Sequence, residues 1–243
     1  MFSESTELYD SIYSEFKDFE EEASQIATLL RKECPSARRL LDVGCGSGRH
    51  AEALSSEHGY EVDGLDIESG FLEIARKRCP TGNFFRGDMA SFDLGSSYDA
   101  VLCLFSSIGY VRTLERLALT ARSIHRHVKA GGIAIIEPWM TPETFRGKSL
   151  YLSTVDRDDL KISRVSRSEV RDRISWLEFQ YLVADAEGIR HLKEIHELGL
   201  FTNEEMLEAL RGGGFQDIEF DPDGLTGRGL YLAHDGPQNM GGT

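Results

Sequence analysis

Hydrophobic positions in the first part of the chain alternate between two kinds of segment. Short apolar runs stand at residues 38–43, 60–65, 83–86, 98–104 and 133–137, each with the length and composition of a strand buried in a sheet. Between them, apolar residues recur at three- and four-residue spacing over 20–33, 50–58, 69–78 and 114–128, which predicts helices. Pro35, Gly59 and Pro80 sit where the first three of these should stop, and Gly131-Gly132 is expected to turn the chain into the last strand. Strands alternating with helices imply βαβ units and a parallel sheet.

From residue 149 the period changes to two. Lys161-Ile162-Ser163-Arg164-Val165, Ile174-Ser175-Trp176-Leu177-Glu178-Phe179 and Ile195-His196-Glu197-Leu198-Gly199-Leu200 alternate in β fashion, with turn signals at 156–159, 171–172 and 187–188. This predicts an antiparallel sheet of three or four strands beside the parallel core. Helical spacing returns at 202–211 behind a capping box, Thr202-Asn203-Glu204-Glu205. Residues 215–220 and 229–233 read as closing strands. The expected division is an N-terminal helical segment (1–35), an α/β domain (36–148 and 201–235), an antiparallel β insertion (149–200) and a loose polar tail (236–243).

Composition narrows the partners. The chain has 243 residues, enough for one large domain with a sub-domain, and a 40% hydrophobic content with 13 Phe and 8 Tyr can fill its core. The formal charge of −14 and the lack of any basic run argue against nucleic acid as a partner. No apolar run approaches a membrane span, and the start of the sequence lacks a signal-peptide pattern. Cys34, Cys45, Cys79 and Cys103 are scattered without a C-x-x-C pair, so a soluble protein of a reducing compartment, the cytoplasm, is expected. His191 and His196 have no acidic or cysteine companions at zinc spacing, so no metal is expected.

The candidate chemistry begins at Leu40-Leu41-Asp42-Val43-Gly44-Cys45-Gly46-Ser47-Gly48-Arg49-His50. A strand runs into a turn with glycine at every second position, where a ligand can lie directly on the backbone. A dinucleotide fingerprint needs its third glycine at position 49, but that position is Arg49 and the glycine comes one residue early. Asp66 ends the second strand, where an acidic residue can accept hydrogen bonds from both ribose hydroxyls of a nucleoside, with Ile67 next to it. Asp42 stands where it can hold the glycine turn or a ligand cation. Leu104-Phe105-Ser106-Ser107 leaves the fourth strand at the carboxyl edge, where open parallel sheets bind ligands.

The D-x-G-x-G-x-G pattern resembles the first motif of the class I S-adenosylmethionine-dependent methyltransferases, here closing on His50 instead of a further glycine. The resemblance implies a Rossmann-like fold, a mostly parallel seven-stranded sheet with one antiparallel strand near its C-terminus. It implies S-adenosylmethionine as cofactor and S-adenosylhomocysteine as product. Gly44, Gly46 and Gly48 would form the cofactor turn. Asp88 would contact the adenine amino group and Met89 the ring, while Leu104 and Phe105 complete the cofactor side.

A narrower resemblance covers most of the chain from Glu7 to Leu232. Glu7-Leu8-Tyr9-Asp10, Lys17-Asp18-Phe19, Phe105-Ser106-Ser107-Ile108-Gly109, Glu137-Pro138-Trp139, Pro142-Glu143-Thr144-Phe145, Ser163-Arg164-Val165-Ser166, Leu200-Phe201-Thr202 and Gly227-Arg228-Gly229-Leu230 are similar to the N-methyltransferases that dimethylate nucleotide-linked 3-amino-3,6-dideoxy sugars in macrolide biosynthesis. That family implies a lid carrying Tyr9 and Phe19, with Tyr9 over the cofactor, and a substrate-side Glu22. It implies Ser107 and Trp139 in the sugar pocket, Arg228 on the diphosphate, and a homodimer through the β insertion. Where the family has a His that contacts the reacting amine, this chain has Tyr110, and Met140 replaces a second Trp. Tyr110 is the candidate catalytic residue, in a positioning role. Methyl transfer to the amino group of a nucleotide-linked amino-deoxysugar is the favoured reading. Transfer to another small-molecule amine or hydroxyl, and a non-catalytic S-adenosylmethionine-binding regulatory module, stay open at this point.

Overall fold

The computed structural model describes residues 6–13 and 17–236. After α1 (Thr6–Tyr13) and α2 (Phe19–Glu33), strands and helices alternate: β1 (Arg39–Val43), α3 (Arg49–Ser56), β2 (Glu61–Asp66), α4 (Ser69–Arg78), β3 (Phe84–Arg86), β4 (Tyr98–Cys103), α5 (Leu114–His127) and β5 (Val128–Ile136). A 3-10 turn, Ser107–Val111, follows β4; the apolar pattern of the sequence gave no sign of it. The insertion contributes β6 (Leu150–Asp156), β7 (Lys161–Arg171), β8 (Ile174–Asp185) and β9 (Gly188–Gly199), and α6 (Asn203–Gly213), β10 (Asp217–Asp221) and β11 (Leu230–His234) close the chain.

The main sheet has seven strands in the order β10-β11-β5-β4-β1-β2-β3. Every pairing is parallel except the two made by β11. Sequence order runs outward in opposite directions from β1 and β4, so the crevice between their carboxyl ends is the switch point at which such sheets bind ligands. The amino ends of the central strands are pinned by one side chain. Asp99 accepts hydrogen bonds from the backbone N–H groups of Arg38 (2.9 Å) and Arg39 (2.8 Å) and from the Lys129 ammonium (2.6 Å).

The two-residue period of the strands divides the core. Leu40, Ala100, Leu102, Ile133 and Ile135 face α2, α3 and α4, while Leu41, Val101, Cys103, Ala134 and Ile136 face α5 and α6. The expected turn at Gly131-Gly132 is instead part of β5. The pairing with β4 shifts register there, Gly131 takes φ +76°, and a Cβ on Gly132 would lie 2.7 Å from the Asp99 carbonyl oxygen. The pair forms a bulge in which Gly131 takes the left-handed conformation and Gly132 lies where two backbones approach too closely for a side chain.

The insertion is a four-stranded antiparallel meander, and its strands of 11 and 12 residues outrun the alternating segments of the sequence. Val155, Ile162, Tyr181 and Val183 form a third cluster with Leu8 and Ile12 of α1, so the first helix docks on the insertion. The tail from residue 237 lies outside the described residues. Among the described residues no helix is long and apolar enough to cross a membrane.

The capping box forms as the sequence predicts: Glu205 N–H donates to the Thr202 hydroxyl (3.3 Å) and Thr202 N–H to the Glu205 carboxylate (2.9 Å). Thr202→Ala should cost about 1 kcal/mol, lowering the melting temperature by roughly 2–4 °C for a chain of this size. Calorimetry or a circular-dichroism melt of the two proteins checks this, and an unchanged melt would show that the cap contributes nothing.

Candidate functional site

A cavity of about 450 Å³ opens along the carboxyl edge of the sheet. Its wall follows the strand order: Asp88 and Met89 beyond β3, Asp66 and Ile67 at β2, Gly44 and Gly46 after β1, Phe105–Ser107 after β4, Trp139 beyond β5 and Arg228 just before β11. Leu177 and Phe179 of β8 and His196 and Leu198 of β9 complete it from the insertion.

The β1 side is built on backbone. Gly44 takes φ +76°, and its N–H and that of Cys45 both donate to the Leu65 carbonyl (2.7 and 3.1 Å). A Cβ at Gly44 would come within 2.7 Å of the Ser107 Cβ, so this glycine lets the loops after β1 and β4 close on each other. At Gly46 a Cβ would meet nothing within 4 Å; the turn presents bare backbone to open space. Gly46 N–H donates to one Asp66 oxygen (2.8 Å) and Glu68 N–H to the other (2.9 Å), which fixes the carboxylate on the wall while burial raises its pKa.

Two further carboxylates differ in environment. Asp42, 1% exposed beneath the turn, has one oxygen with no hydrogen-bond partner among the described residues, and burial pushes its pKa up to about 6. Asp88 accepts Ala90 N–H (2.9 Å), and both its oxygens receive the Arg116 guanidinium at 2.8 Å. Burial raises the Asp88 pKa, but the Arg116 hydrogen bonds and charge outweigh it and hold the carboxyl below the ordinary range.

The β4–β5 side is built on side chains. Phe105 and Ser106 both take left-handed backbone, φ 51° and 61°, a costly conformation away from glycine. The wholly buried Glu137 carboxyl accepts Phe105 N–H (2.6 Å) and the Thr226 hydroxyl. Ser106 donates to the Pro138 carbonyl (2.8 Å) and accepts from Arg228 (3.2 Å). The Arg228 guanidinium lies 5.4 Å from the Trp139 ring centroid and 5.7 Å from that of Phe105. Of the cavity's three arginines, Arg112 pairs with Glu197 and Arg116 with Asp88; among the described residues no carboxylate pairs with Arg228. Trp139 is held edgewise by its indole N–H, which donates to Ser175 of β8 (2.8 Å).

Tyr110, on the 3-10 turn, reaches the insertion wall. Its hydroxyl lies 2.9 Å from His196 Nδ1, and the other imidazole nitrogen lies 3.4 Å from a Glu194 oxygen that also accepts from Tyr181 (3.3 Å). Burial raises the Tyr110 phenol well above its usual pKa and lowers that of His196.

Five of the residues singled out in the sequence stand off the cavity wall. Asp42 lies beneath it. Gly48 packs against α4, where a Cβ would lie 3.0 Å from that of Ala75. Leu104 is buried in the core. Glu22, expected on the substrate side, has its carboxylate occupied by Lys17 and by His50 (2.9 Å), which clamps α2 to α3. Phe19 packs edge-on against His50 at 5.1 Å. The Tyr9 side chain lies outside the described residues. Sequence reasoning missed Tyr13, Glu68, Arg116, Phe179 and His196 on the wall. For His196 a signal existed: Glu194, His196 and Leu198 alternate on the buried face of β9.

Comparison with known proteins fits this geometry. Residues 40–132 match the model of a methyltransferase domain. The chain is 38% identical to a dTDP-3-amino-3,4,6-trideoxy-alpha-D-glucopyranose N,N-dimethyltransferase of Streptomyces venezuelae, over 93% of this chain and 95% of that protein. It is 36% identical to a dTDP-4-amino-2,3,4,6-tetradeoxy-D-glucose N,N-dimethyltransferase of Saccharopolyspora spinosa, over 93% and 90%. The solved structure of S-adenosylmethionine-bound CalS10, an amino pentose methyltransferase from Micromonospora echinaspora, superposes with a TM-score of 0.85 at 35% identity, covering 94% of this chain and 97% of that one. The chain therefore belongs to the class I S-adenosylmethionine-dependent methyltransferases, in the family that contains these sugar N,N-dimethyltransferases.

Proposed function

We propose that this methyltransferase acts on the amino group of a nucleotide-linked amino-deoxysugar, and that the β1–β3 half of the cavity holds the cofactor while the β4–β5 half holds the acceptor. The observation that carries the acceptor reading is Arg228. In a protein of net charge −14 it presents a guanidinium to the cavity with no carboxylate paired to it among the described residues. A guanidinium fork matches the oxygens of a diphosphate. Trp139 and Phe105 flank it with the flat apolar faces that suit a sugar or a base. The relatives named above act on dTDP-linked sugars whose amino group stands at position 3 in one case and position 4 in the other, so the site class tolerates more than one amine geometry.

The residues of the other half fit S-adenosylmethionine, whose sulfonium supplies an already activated methyl group for in-line transfer. Bare backbone at Gly46 leaves room for the ligand, and Asp66 stands fixed for the ribose hydroxyls. From beneath the turn, the Asp42 carboxylate favours a cation such as the methionine ammonium through its charge. Ile67, exposed on the cavity wall, offers an apolar face for the adenine, and Asp88 an acceptor beside it. With the methyl already activated, the protein has chiefly to hold the two partners in near-attack geometry and keep water out. The switch-point crevice under Gly44 and Ser107 is where the two halves meet.

Two outcomes check this reading. With Asp42 titrating near 6, a cation binds its ionised form. Cofactor affinity measured by calorimetry should hold above pH 6 and fall below it, by up to about tenfold per pH unit. Asp42→Asn should weaken binding and remove that slope; an identical slope in the variant would take the role from Asp42. For the acceptor, labelled methyl should pass from S-adenosylmethionine to dTDP-amino-deoxysugars but not to the free sugars. Arg228→Gln should raise the KM for the nucleotide-sugar about tenfold or more, the loss of a charge-assisted contact of about 1.5–3 kcal/mol, with the KM for the cofactor unchanged. A change confined to the cofactor KM would place Arg228 on the cofactor instead.

A further inference from the structure

We infer that Tyr110, His196 and Glu194 form a proton relay from the acceptor amine into the β insertion, on the reading that the acceptor is an amine. The geometry is a chain of three groups on two elements. Tyr110 faces the cavity from the 3-10 turn, its hydroxyl 2.9 Å from His196 Nδ1. His196 Nε2 points back along β9 to Glu194, 3.4 Å away. Glu194 and His196 are 4% and 2% exposed, and Phe179 packs its ring 4.9 Å from the imidazole, so the relay is shielded from water behind the phenol.

The direction of the chain follows from its ends. A carboxylate only accepts, so His196 Nε2 carries the hydrogen toward Glu194 and leaves Nδ1 as the acceptor. The phenol, kept in its protonated form by burial, donates to that nitrogen. Its remaining lone pair faces the cavity and can accept a hydrogen from a bound amine.

At neutral pH, where a bound amine is largely protonated, such an acceptor serves the methylation. An amine attacks only as its neutral form, and each transfer leaves an N-methylammonium that must lose a proton before a second methyl can be added. In the step assigned here, an ammonium N–H breaks and its proton passes to the Tyr110 oxygen as the phenol proton passes to His196 Nδ1. The amine keeps the electron pair, no phenolate forms, and the imidazolium is held against the Glu194 carboxylate until the proton leaves to water after product release. Tyr110 touches the amine; His196 and Glu194 act through it as positioning residues. Among the described residues, the groups acting on His196 are Glu194 on its own strand, Arg164 on β7 and the Tyr110 hydroxyl; Tyr181 on β8 donates to Glu194, and Tyr13 on α1, Tyr181 and Asp66 act on Tyr110. Burial, more than any of these, keeps the imidazole neutral and receptive at neutral pH.

The test compares the pH dependence of kcat, which reports the bound complex, in the parent, His196→Gln and Tyr110→Phe. In the parent the acid limb should lie below the ordinary imidazole value of ~6.5. Both variants should lose about 10²-fold at pH 7, recover toward parental rates at pH 9, where the amine sheds its proton unaided, and accumulate monomethyl product at neutral pH. Cofactor affinity by calorimetry should stay within twofold of the parent. If His196→Gln fails to fold, Tyr110→Phe, which lacks one hydroxyl, supplies the same comparison. The imidazole of His196 is also followed by NMR in the protein without acceptor, where Glu194→Gln should lower its titration midpoint further. Superimposable kcat profiles, or a midpoint indifferent to Glu194→Gln, would overturn the relay. If no nucleotide-aminosugar is methylated, the acceptor reading fails, and the NMR titration still decides whether the three groups are coupled.

Discussion

The site depends most on one buried carboxyl. Glu137 directly follows β5 with no exposed surface, and its own N–H continues the sheet pairing by donating to the Cys103 carbonyl of β4 at 2.9 Å. Its side chain turns back to take the Phe105 N–H and the Thr226 hydroxyl. Three chain segments that are far apart in sequence are joined through this group: the exit of β4, the exit of β5 and the loop before β11. Phe105 and Ser106 lie in left-handed conformations that cost of order 1–3 kcal/mol each, and they persist because the neighbouring groups over-determine them. Glu137 fixes the Phe105 amide, the Pro138 carbonyl fixes the Ser106 hydroxyl, and Arg228 leans on the same hydroxyl. That anchor fixes the start of the turn that carries Ser107 and Tyr110. The Glu137-Pro138-Trp139 and Gly227-Arg228-Gly229 segments are thus two sides of one joint.

The two halves of the cavity are built by different means and carry different charge. Around β1 and β2 the wall is backbone, and its charges are the carboxylates of Asp66 and Glu68, with Asp42 beneath the turn and Asp88 already matched by Arg116. Around β4 and β5 the wall is side chains carried on or beside five elements, and the unmatched charge that lines it is Arg228. A sulfonium cofactor carries positive charge and a nucleotide-linked acceptor carries negative charge. A cavity with carboxylates at one end and a guanidinium at the other distinguishes the two by electrostatics before any shape is read. In such a buried space these charges act at a lower dielectric than on the surface and are correspondingly stronger.

How much of this the sequence disclosed depends on the range of the interactions. The sheet strands, α2 to α6 and the Thr202 capping box were legible because period, glycine, proline and capping signals are local. Gly131-Gly132 misled because a glycine pair marks close backbone approach as well as a turn, and only the neighbouring Asp99 carbonyl decides between them. Glu22 was placed on the substrate side by family likeness, whereas its carboxylate is taken by Lys17 and His50, partners that no spacing rule connects to it. Arg116 and His196 were passed over for the same reason: each reaches the cavity from an element whose position is set by packing, one from α5 and one from the insertion. The cofactor motif could be read because it is contiguous; the acceptor wall could not, because it is assembled from β4, β5, β8, β9 and β11.

That assembly also explains where a change at position 110 is felt. The preceding residue is Gly109, and a Cβ there would lie 3.0 Å from both Trp139 and Leu198. The 3-10 turn is therefore wedged between the β5 exit and β9 and cannot shift to suit a new side chain. The Tyr110 side chain must extend along the path the turn already sets, and that path ends on β9, where a strand of period two presents Glu194, His196 and Leu198 on one buried face. The His196 imidazole stands one layer behind the loop, in contact with the phenol. The insertion thus does more than wall the cavity: its register determines which polar group stands behind residue 110, since a slip of one residue would turn His196 and Glu194 to solvent and bring their exposed neighbours inward.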